Sequence, residues 1–137
     1  MFICDISVFN RDGKLRLDEA LRPMNVDWRD LVVILVIDQV PGITQTRLAP
    51  FVQTDKANLT KLLQQLEARG LIERRTGLED LRVKACFLTD QGKSLVPALH
   101  ERLNRWEDEC FSGVSAQDRL QFEKTSQQIT RNLFKHV

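Results

Sequence analysis

The sequence predicts a mainly helical protein that contains one small antiparallel β-hairpin. Leu59, Leu62, Leu63 and Leu66 follow helical spacing, because positions i, i+3, i+4 and i+7 share one face of a helix. Residues 82–88 instead begin with alternating charged and apolar side chains, which is the two-residue period of a strand. The length of 137 residues fits one domain or one subunit of an oligomer.

Composition excludes several classes of protein. A hydrophobic fraction of 42% and a charged fraction of 28% are typical of soluble globular chains, not of disordered tails, rods or collagen-like fibres. The longest apolar run, 31–37, is too short to span a membrane, and the N-terminus lacks the pattern of a signal peptide, so we expect a cytoplasmic protein. Three cysteines without CxxC spacing and two distant histidines predict no disulfide framework, metal site or cofactor.

The net charge of +1 excludes a uniformly basic protein but conceals an uneven distribution. Residues 46–97 carry nine basic and six acidic side chains, an excess of +3, whereas residues 1–45 carry five and seven. The basic excess therefore lies in the middle of the chain. It is small, so charge alone does not predict nucleic-acid binding without support from motifs.

The first third predicts two helices. Apolar and charged residues mix over 5–22, and this helix is expected to end near Pro23, because the residue before a proline is biased away from helix. Asp27 then has the character of an N-cap, with Asp30 three residues later. A helix over 28–39 follows, although the β-branched run within it also fits a buried strand.

The middle third predicts a short helix, a tight turn, a longer helix and a hairpin. Thr44 caps the short helix, and Asp55 caps the longer one over 55–69, which Gly70 ends. Strands are expected at 71–75 and 82–88, joined by a polar turn.

Two more helices close the sequence. Thr89 caps the first, and Ser115 caps the second after a break at Ser112 and Gly113. The resulting order of elements is that of a winged helix-turn-helix. A helix about 10–12 Å across fits the DNA major groove, about 12 Å wide, while a neighbouring hairpin can place arginine in the minor groove.

The longer helix of the middle third supplies the candidate base contacts. Its leucine face must pack inward, so its outward positions and their flanking residues become the predicted DNA-binding set: Lys56, Ala57, Asn58, Thr60, Lys61 and Gln64. Any amphipathic helix has polar residues outward, so this pattern needs the motifs around it.

Several short motifs together carry a resemblance. They are the segments 48–52, 55–63 and 66–74, then Asp80-Leu81-Arg82, then Leu88-Thr89-Asp90-Gln91-Gly92. With this spacing the chain resembles the MarR family of bacterial transcriptional regulators over about residues 15–135. The resemblance implies a repressor, not an enzyme, that binds a pseudo-palindromic operator in double-stranded DNA as a homodimer.

The resemblance also implies an assignment of regions and residues. Residues 1–27 and 89–137 would form the helical dimerisation region, and 28–88 the winged helix-turn-helix. Arg82 matches the family's minor-groove arginine, and Asp80 matches the carboxylate that orients it. The remaining predicted phosphate contacts are Arg74, Arg75 and Lys84.

Three expectations concern regulation and packing. Many members of the family bind small anionic aromatic effectors, which implies a cleft near Arg11, Arg16, Trp28 and Arg47, although Trp28 also fits simple core packing. Cys86 and Cys110 are expected to be buried small hydrophobes. Aromatic residues in the terminal helices are expected to be covered by a partner subunit, the alternative being that they pack within the monomer. They are Phe9, Trp106, Phe111, Phe122 and Phe134, together with Leu133.

Two alternative functions stay open. One is thiol-based redox sensing through Cys4, although no cation flanks this cysteine and the chain has no tyrosine. The other is a winged-helix module that binds protein without specific DNA binding. The residues that disfavour it are Lys56, Asn58, Lys61 and Arg82. No GxSxG, HExxH or phosphate-loop motif occurs.

Overall fold

A computed structural model describes residues 1–77 and 79–134. Leu78 in the predicted turn, and residues 135–137 of the predicted dimerisation region, lie outside the described residues. The elements in chain order are α1 (Phe2–Val8), a π-helical turn (Phe9–Gly13), α2 (Lys14–Leu21), a 3₁₀ turn (Arg22–Met24), α3 (Trp28–Gln39), β1 (Ile43–Thr44), α4 (Gln45–Val52), α5 (Lys56–Ala68), β2 (Ile72–Thr76), β3 (Lys84–Leu88), α6 (Asp90–Cys110) and α7 (Ala116–Phe134).

The capping residues set most helix starts where the sequence predicts them. At α3, the Asp27 carboxylate accepts from the Asp30 amide at 2.9 Å, and the Asp30 carboxylate accepts from the Asp27 amide at 3.1 Å. This reciprocal capping box fixes a helix over 28–39, so the alternative of a buried strand there is wrong. Its buried face, Leu31, Val33, Ile34 and Ile37, lies in the central core.

The N-terminal helix is longer and less regular than predicted. It begins at Phe2 and contains a π-helical turn that ends at Gly13. The Trp106 indole in α6 donates to the Gly13 carbonyl at 2.9 Å. Trp106 therefore packs within its own chain, and the expectation that it needs a partner to cover it is wrong.

The three strands form one antiparallel sheet in the order β1-β3-β2. The hairpin pairs Ile72 with Leu88 and Arg74 with Cys86, and β1 adds Ile43 on the other side of Cys86. The hairpin strands begin one and two residues later than predicted. The two-residue strand β1 is not predicted, because it is too short to carry an alternating pattern.

The junction between hairpin and α6 explains the motif that ends in Gly92. The Thr89 hydroxyl donates to the Gly70 carbonyl at 2.6 Å and accepts from the Gly92 amide at 3.0 Å. The Thr89 amide donates to the Leu71 carbonyl at 3.1 Å. These bonds bring α6 so close to the chain after α5 that a Cβ on Gly92 would lie 2.0 Å from the Leu71 carbonyl oxygen.

The two cysteines expected to be buried differ in environment. Cys86 is fully buried in the sheet, and this burial raises the pKa of its thiol to about 11. Cys110, by contrast, is exposed at the end of α6, so its predicted burial is wrong for the single chain. Its spacing continues the apolar face of α6, but this face is exposed to solvent at the last residue of the helix.

The remaining terminal aromatic residues are partly paired inside the chain. Phe111, directly after α6, lies against Phe122 of α7 with ring centroids 5.5 Å apart, and Phe134 lies against Phe51 of α4 at 5.9 Å. Phe9 and Leu133 stay open, with 59% and 70% of their surfaces exposed. Among the described residues, no helix is both long and apolar enough to cross a membrane.

Candidate nucleic-acid interface

Helix α5 presents one polar face to solvent. Its start is fixed by Asp55, whose carboxylate accepts from the Asn58 amide at 2.7 Å. Leu59, Leu63 and Leu66 are buried beneath it. The residues this leaves exposed include five of the six predicted base contacts: Lys56, Ala57, Asn58, Lys61 and Gln64.

The side chains on this face differ in burial and in their hydrogen bonds within the chain. Thr60 is half-buried, and its hydroxyl donates to the Lys56 carbonyl at 2.9 Å. The Asn58 side-chain amide donates to Asp55 at 3.2 Å. An adenine contact by Asn58 would require that bond to be exchanged, whereas Lys61 and Gln64 make no side-chain hydrogen bond to the described residues.

The hairpin tip holds an arginine in an outward orientation. Arg82 donates from Nε at 3.1 Å and from Nη2 at 3.3 Å to the two carboxylate oxygens of Asp80. The Asp80 carboxylate also accepts from the Arg82 backbone amide at 3.0 Å. The hydrogen bonds from Arg82 lower the pKa of the Asp80 carboxyl. Since 91% of the Arg82 side chain is exposed, the pair directs the guanidinium and adds little stability.

Two of the three predicted phosphate contacts lie on the hairpin surface. The exposed Arg75 bonds to Glu73, with its Nε at 2.8 Å, and its guanidinium lies 4.1 Å from the centre of the Phe87 ring. Lys84 is exposed at the start of β3, opposite Thr76. Both cations are accessible to a bound polyanion.

The third, Arg74, is placed differently. Only 14% of its side chain is exposed, and its Nε donates to Glu67 of α5 at 2.6 Å. Its Nη1 donates to Gln45 of α4 at 2.8 Å. The guanidinium is therefore engaged inside the domain, which differs from the surface position that a phosphate contact requires.

The predicted effector residues differ in burial and in partners. Trp28 is half-buried, and the cations against its ring are Lys14, at 3.8 Å, and Arg29, at 5.0 Å. Neither was predicted; Arg29 adjoins Trp28 in sequence, but nothing in the sequence signals Lys14. Burial, and repulsion by Arg29, lower the pKa of Lys14 against the opposing effect of Asp18.

The other three predicted effector residues, Arg11, Arg16 and Arg47, are exposed. Arg11 lies 3.6 Å from the carboxylate of Asp12. A cleft of about 360 Å³ runs past Asp30 and Arg69, and none of the four predicted effector residues lines it. The redox candidate Cys4 is exposed on α1. No cluster of metal-ligating side chains occurs within residues 1–77 and 79–134.

Comparison with known proteins finds a family model that matches part of the chain. Residues 26–84, from just before α3 to the first residue of β3, match the family model of the MarR family. The chain carries a MarR-family domain. The predicted resemblance is thus confirmed, and α5 and the β2–β3 hairpin occupy the positions of the recognition helix and the wing in the winged helix-turn-helix fold.

Solved structures extend the similarity to nearly the whole chain. A crystal structure of MarR is 27% identical with a TM-score of 0.86, and the match covers 96% of this chain and 89% of that one. A MarR transcriptional regulator from Methanosarcina mazei Go1 is 23% identical, with a TM-score of 0.86 and coverages of 99% and 92%. The predicted fold class, mainly helical with a small hairpin wing, is confirmed.

A third structure contains nucleic acid. A mutant MarR from E. coli, complexed with operator DNA, is 22% identical with a TM-score of 0.78, and the match covers 90% of this chain and 89% of that one. At this identity the likeness concerns the fold.

Proposed function

We propose that this MarR-family protein is a transcriptional repressor that binds a pseudo-palindromic operator as a homodimer. The observation that carries the proposal is the pairing of two reading elements. The recognition helix exposes Lys56, Lys61 and Gln64, and the wing holds Arg82 outward through Asp80. The operator complex of the similar E. coli protein supports the same use of this fold.

The exposed residues match the chemistry of the DNA grooves. Lysine donates to guanine O6 and N7, glutamine pairs with adenine, and the methyl of Ala57 can contact the thymine methyl. Arg82 on the wing suits a narrow A·T-rich minor groove, where the potential is most negative. Arg75 and Lys84 supply phosphate contacts, which make binding depend on salt.

The homodimer is supported by apolar surface on the terminal elements. Phe2 is 61% exposed and Ile3 64%, and Leu120 and Leu133 on α7 are 52% and 70% exposed. Apolar patches of this kind mark interaction sites. We assign dimerisation to residues 1–27 and 89–137, and DNA binding to 28–88. A two-fold axis would place the recognition helices about 34–36 Å apart.

Modulation by a small anionic aromatic effector is part of the proposal. The ring of Trp28 with the ammonium of Lys14 and the guanidinium of Arg29 beside it supports this class of ligand. We add those two cations to the predicted set of Arg11, Arg16, Trp28 and Arg47.

A fluorescence-anisotropy titration on the promoter beside the protein's own gene tests the function. We expect tight binding that weakens steeply between low and high salt, because each neutralised phosphate releases counterions. Aromatic acids added to the complex are expected to release it. A scrambled duplex is the control, and binding that is absent, or indifferent to both sequence and salt, would contradict the proposal.

Replacing Arg82 by alanine tests the wing. We expect operator binding to weaken by about 1–3 kcal/mol, most strongly when the flanks are A·T-rich, since the arginine reads a narrow minor groove. The matched control is Lys84→Ala, which should weaken binding uniformly across sequences and reduce the salt slope. An equal loss on A·T-rich and G·C-rich flanks for Arg82→Ala would remove its assigned role.

A further inference from the structure

We propose that Arg74 is a positioning residue that fixes the wing relative to the recognition helix. It acts through a polar network with Glu67 and Gln45 and does not touch DNA. The inference rests on the proposed function, because it concerns how the two DNA-reading elements keep their mutual geometry.

The sheet register turns Arg74 inward. Arg74 pairs with Cys86, which is fully buried, and its neighbour in the same alternation, Ile72, is 2% exposed. Successive strand residues point to opposite faces, so Arg74 enters beneath the sheet while Glu73 and Arg75 face outward. A guanidinium in such a place needs full partners, since an unpaired buried charge is costly.

Its partners belong to two different helices. Arg74 donates from Nε to Glu67 at 2.6 Å, with Nη2 alongside the same carboxylate, and from Nη1 to Gln45 at 2.8 Å. Glu67 lies in the last turn of α5, and Gln45 is the first residue of α4. One planar side chain therefore connects β2 with both helices of the helix-turn-helix, a role that the point charge of lysine cannot reproduce.

The network continues toward the DNA-facing side of α5. The Gln45 side-chain oxygen accepts from Arg74, and this leaves its nitrogen directed at the Thr60 hydroxyl, at a long 3.5 Å. Thr60 lies one residue before Lys61, a predicted base contact. A change at Arg74 thus reaches the reading surface through groups that are hydrogen-bonded in sequence.

A positioning role and a phosphate contact predict different salt dependence. Loss of a phosphate contact lowers the slope of log affinity against log salt by about one for each protomer. A residue that only positions the wing leaves the number of neutralised phosphates unchanged. The slope therefore separates the two roles, even where affinity falls in both.

The test is a double-mutant cycle between Arg74→Gln and Arg82→Ala on operators with A·T-rich and G·C-rich flanks. We expect Arg74→Gln to lower affinity about tenfold with the salt slope unchanged, and Arg74→Lys to fail to restore it. In the Arg74→Gln background, Arg82→Ala should cost less than in the wild type, because the wing is already misplaced. The preference for A·T-rich flanks should also fall, which a loss of stability alone would not cause.

Several outcomes would overturn the proposal. They are a slope reduced by about one per protomer, full additivity with Arg82→Ala, or rescue by lysine. If Arg74→Gln does not fold, Glu67→Gln replaces it in the cycle, since this isostere removes the charge at similar volume.

A wild-type chain that binds no promoter DNA would contradict the proposed function but not the network. Hydrogen exchange then decides, because Glu67→Gln should speed exchange of the β2 amides relative to those of α3. Equal protection in the two proteins would refute the network.

Discussion

Replacing Gly92 by alanine is expected to destabilise the folded protein by about 3 kcal/mol, at the upper end of overpacking effects. The added Cβ would lie 2.0 Å from the Leu71 carbonyl oxygen and 3.1 Å from its carbonyl carbon. Both are backbone atoms, so no side-chain rotation relieves the clash. The Leu71 carbonyl also accepts from Thr89, so moving it weakens the cap of α6.

Urea unfolding of the two proteins at the same concentration measures this loss as a lower midpoint. The matched control is Gly13→Ala. Gly13 has helical φ and ψ of −59° and −47°, and an added Cβ would meet Trp106 at an ordinary 3.6 Å. Alanine there should be neutral or stabilising by up to about 1 kcal/mol. A Gly92→Ala midpoint equal to that of the wild type would show that α6 can shift freely.

The same junction indicates why much of the fold is readable from the sequence. A cap is a local event, since a Ser, Thr or Asp side chain bonds a backbone amide three residues later. Asp27, Thr44, Asp55, Thr89 and Ser115 each do so at the predicted helix start. Gly70 likewise takes the left-handed conformation, with φ of 73°, that ends α5.

Features that depend on residues distant in the sequence could not be predicted from local patterns. The π-helical turn ends at Gly13, whose carbonyl accepts from Trp106, which is far away in the sequence. The contact of Lys14 with Trp28 likewise joins α2 to α3. No spacing in the sequence encodes either pair.

Arg74 is a different case, because two features of the sequence point to different places for its side chain. Strand alternation indicates an inward position, and the positive charge of the hairpin indicates a contact with DNA. The alternation that places Cys86 inward also places Arg74 inward once the register is known. Positive charge on a hairpin that is predicted to contact DNA favours a phosphate contact. That pattern alone does not reveal the Glu67 carboxylate beneath the strand. The placement of the other site residues, including Arg82, follows from the motif and stays a prediction as to DNA contact.

Introducing glutamate at both Phe2 and Phe9 is expected to dissociate the proposed dimer and to lower operator affinity by at least about 100-fold. The two residues are seven positions apart, a spacing that places them on one face of a helix. Phe2 begins α1 and Phe9 begins the π-helical turn, and they are 61% and 59% exposed in the single chain. Covering each phenylalanine contributes about 1.5–3 kcal/mol, and a carboxylate buried in its place has no partner. Sedimentation measures the assembly state, and circular dichroism checks that the helices persist.

The affinity loss follows because the dimer holds two DNA-binding domains together. In a dimer the second half-site is bound at a high effective concentration, whereas separate subunits bind each half-site independently. The double variant should therefore retain wild-type-like affinity for an isolated half-site once its added negative charge is matched. Val40→Glu, at an exposed position outside the proposed dimerisation region, adds one of the two charges per chain. It measures the effect of one such charge on DNA affinity and should leave the dimer intact. A double variant that stays dimeric would place the interface elsewhere, and α7, with Leu120 and Leu133 exposed, is the surface that would then have to carry it.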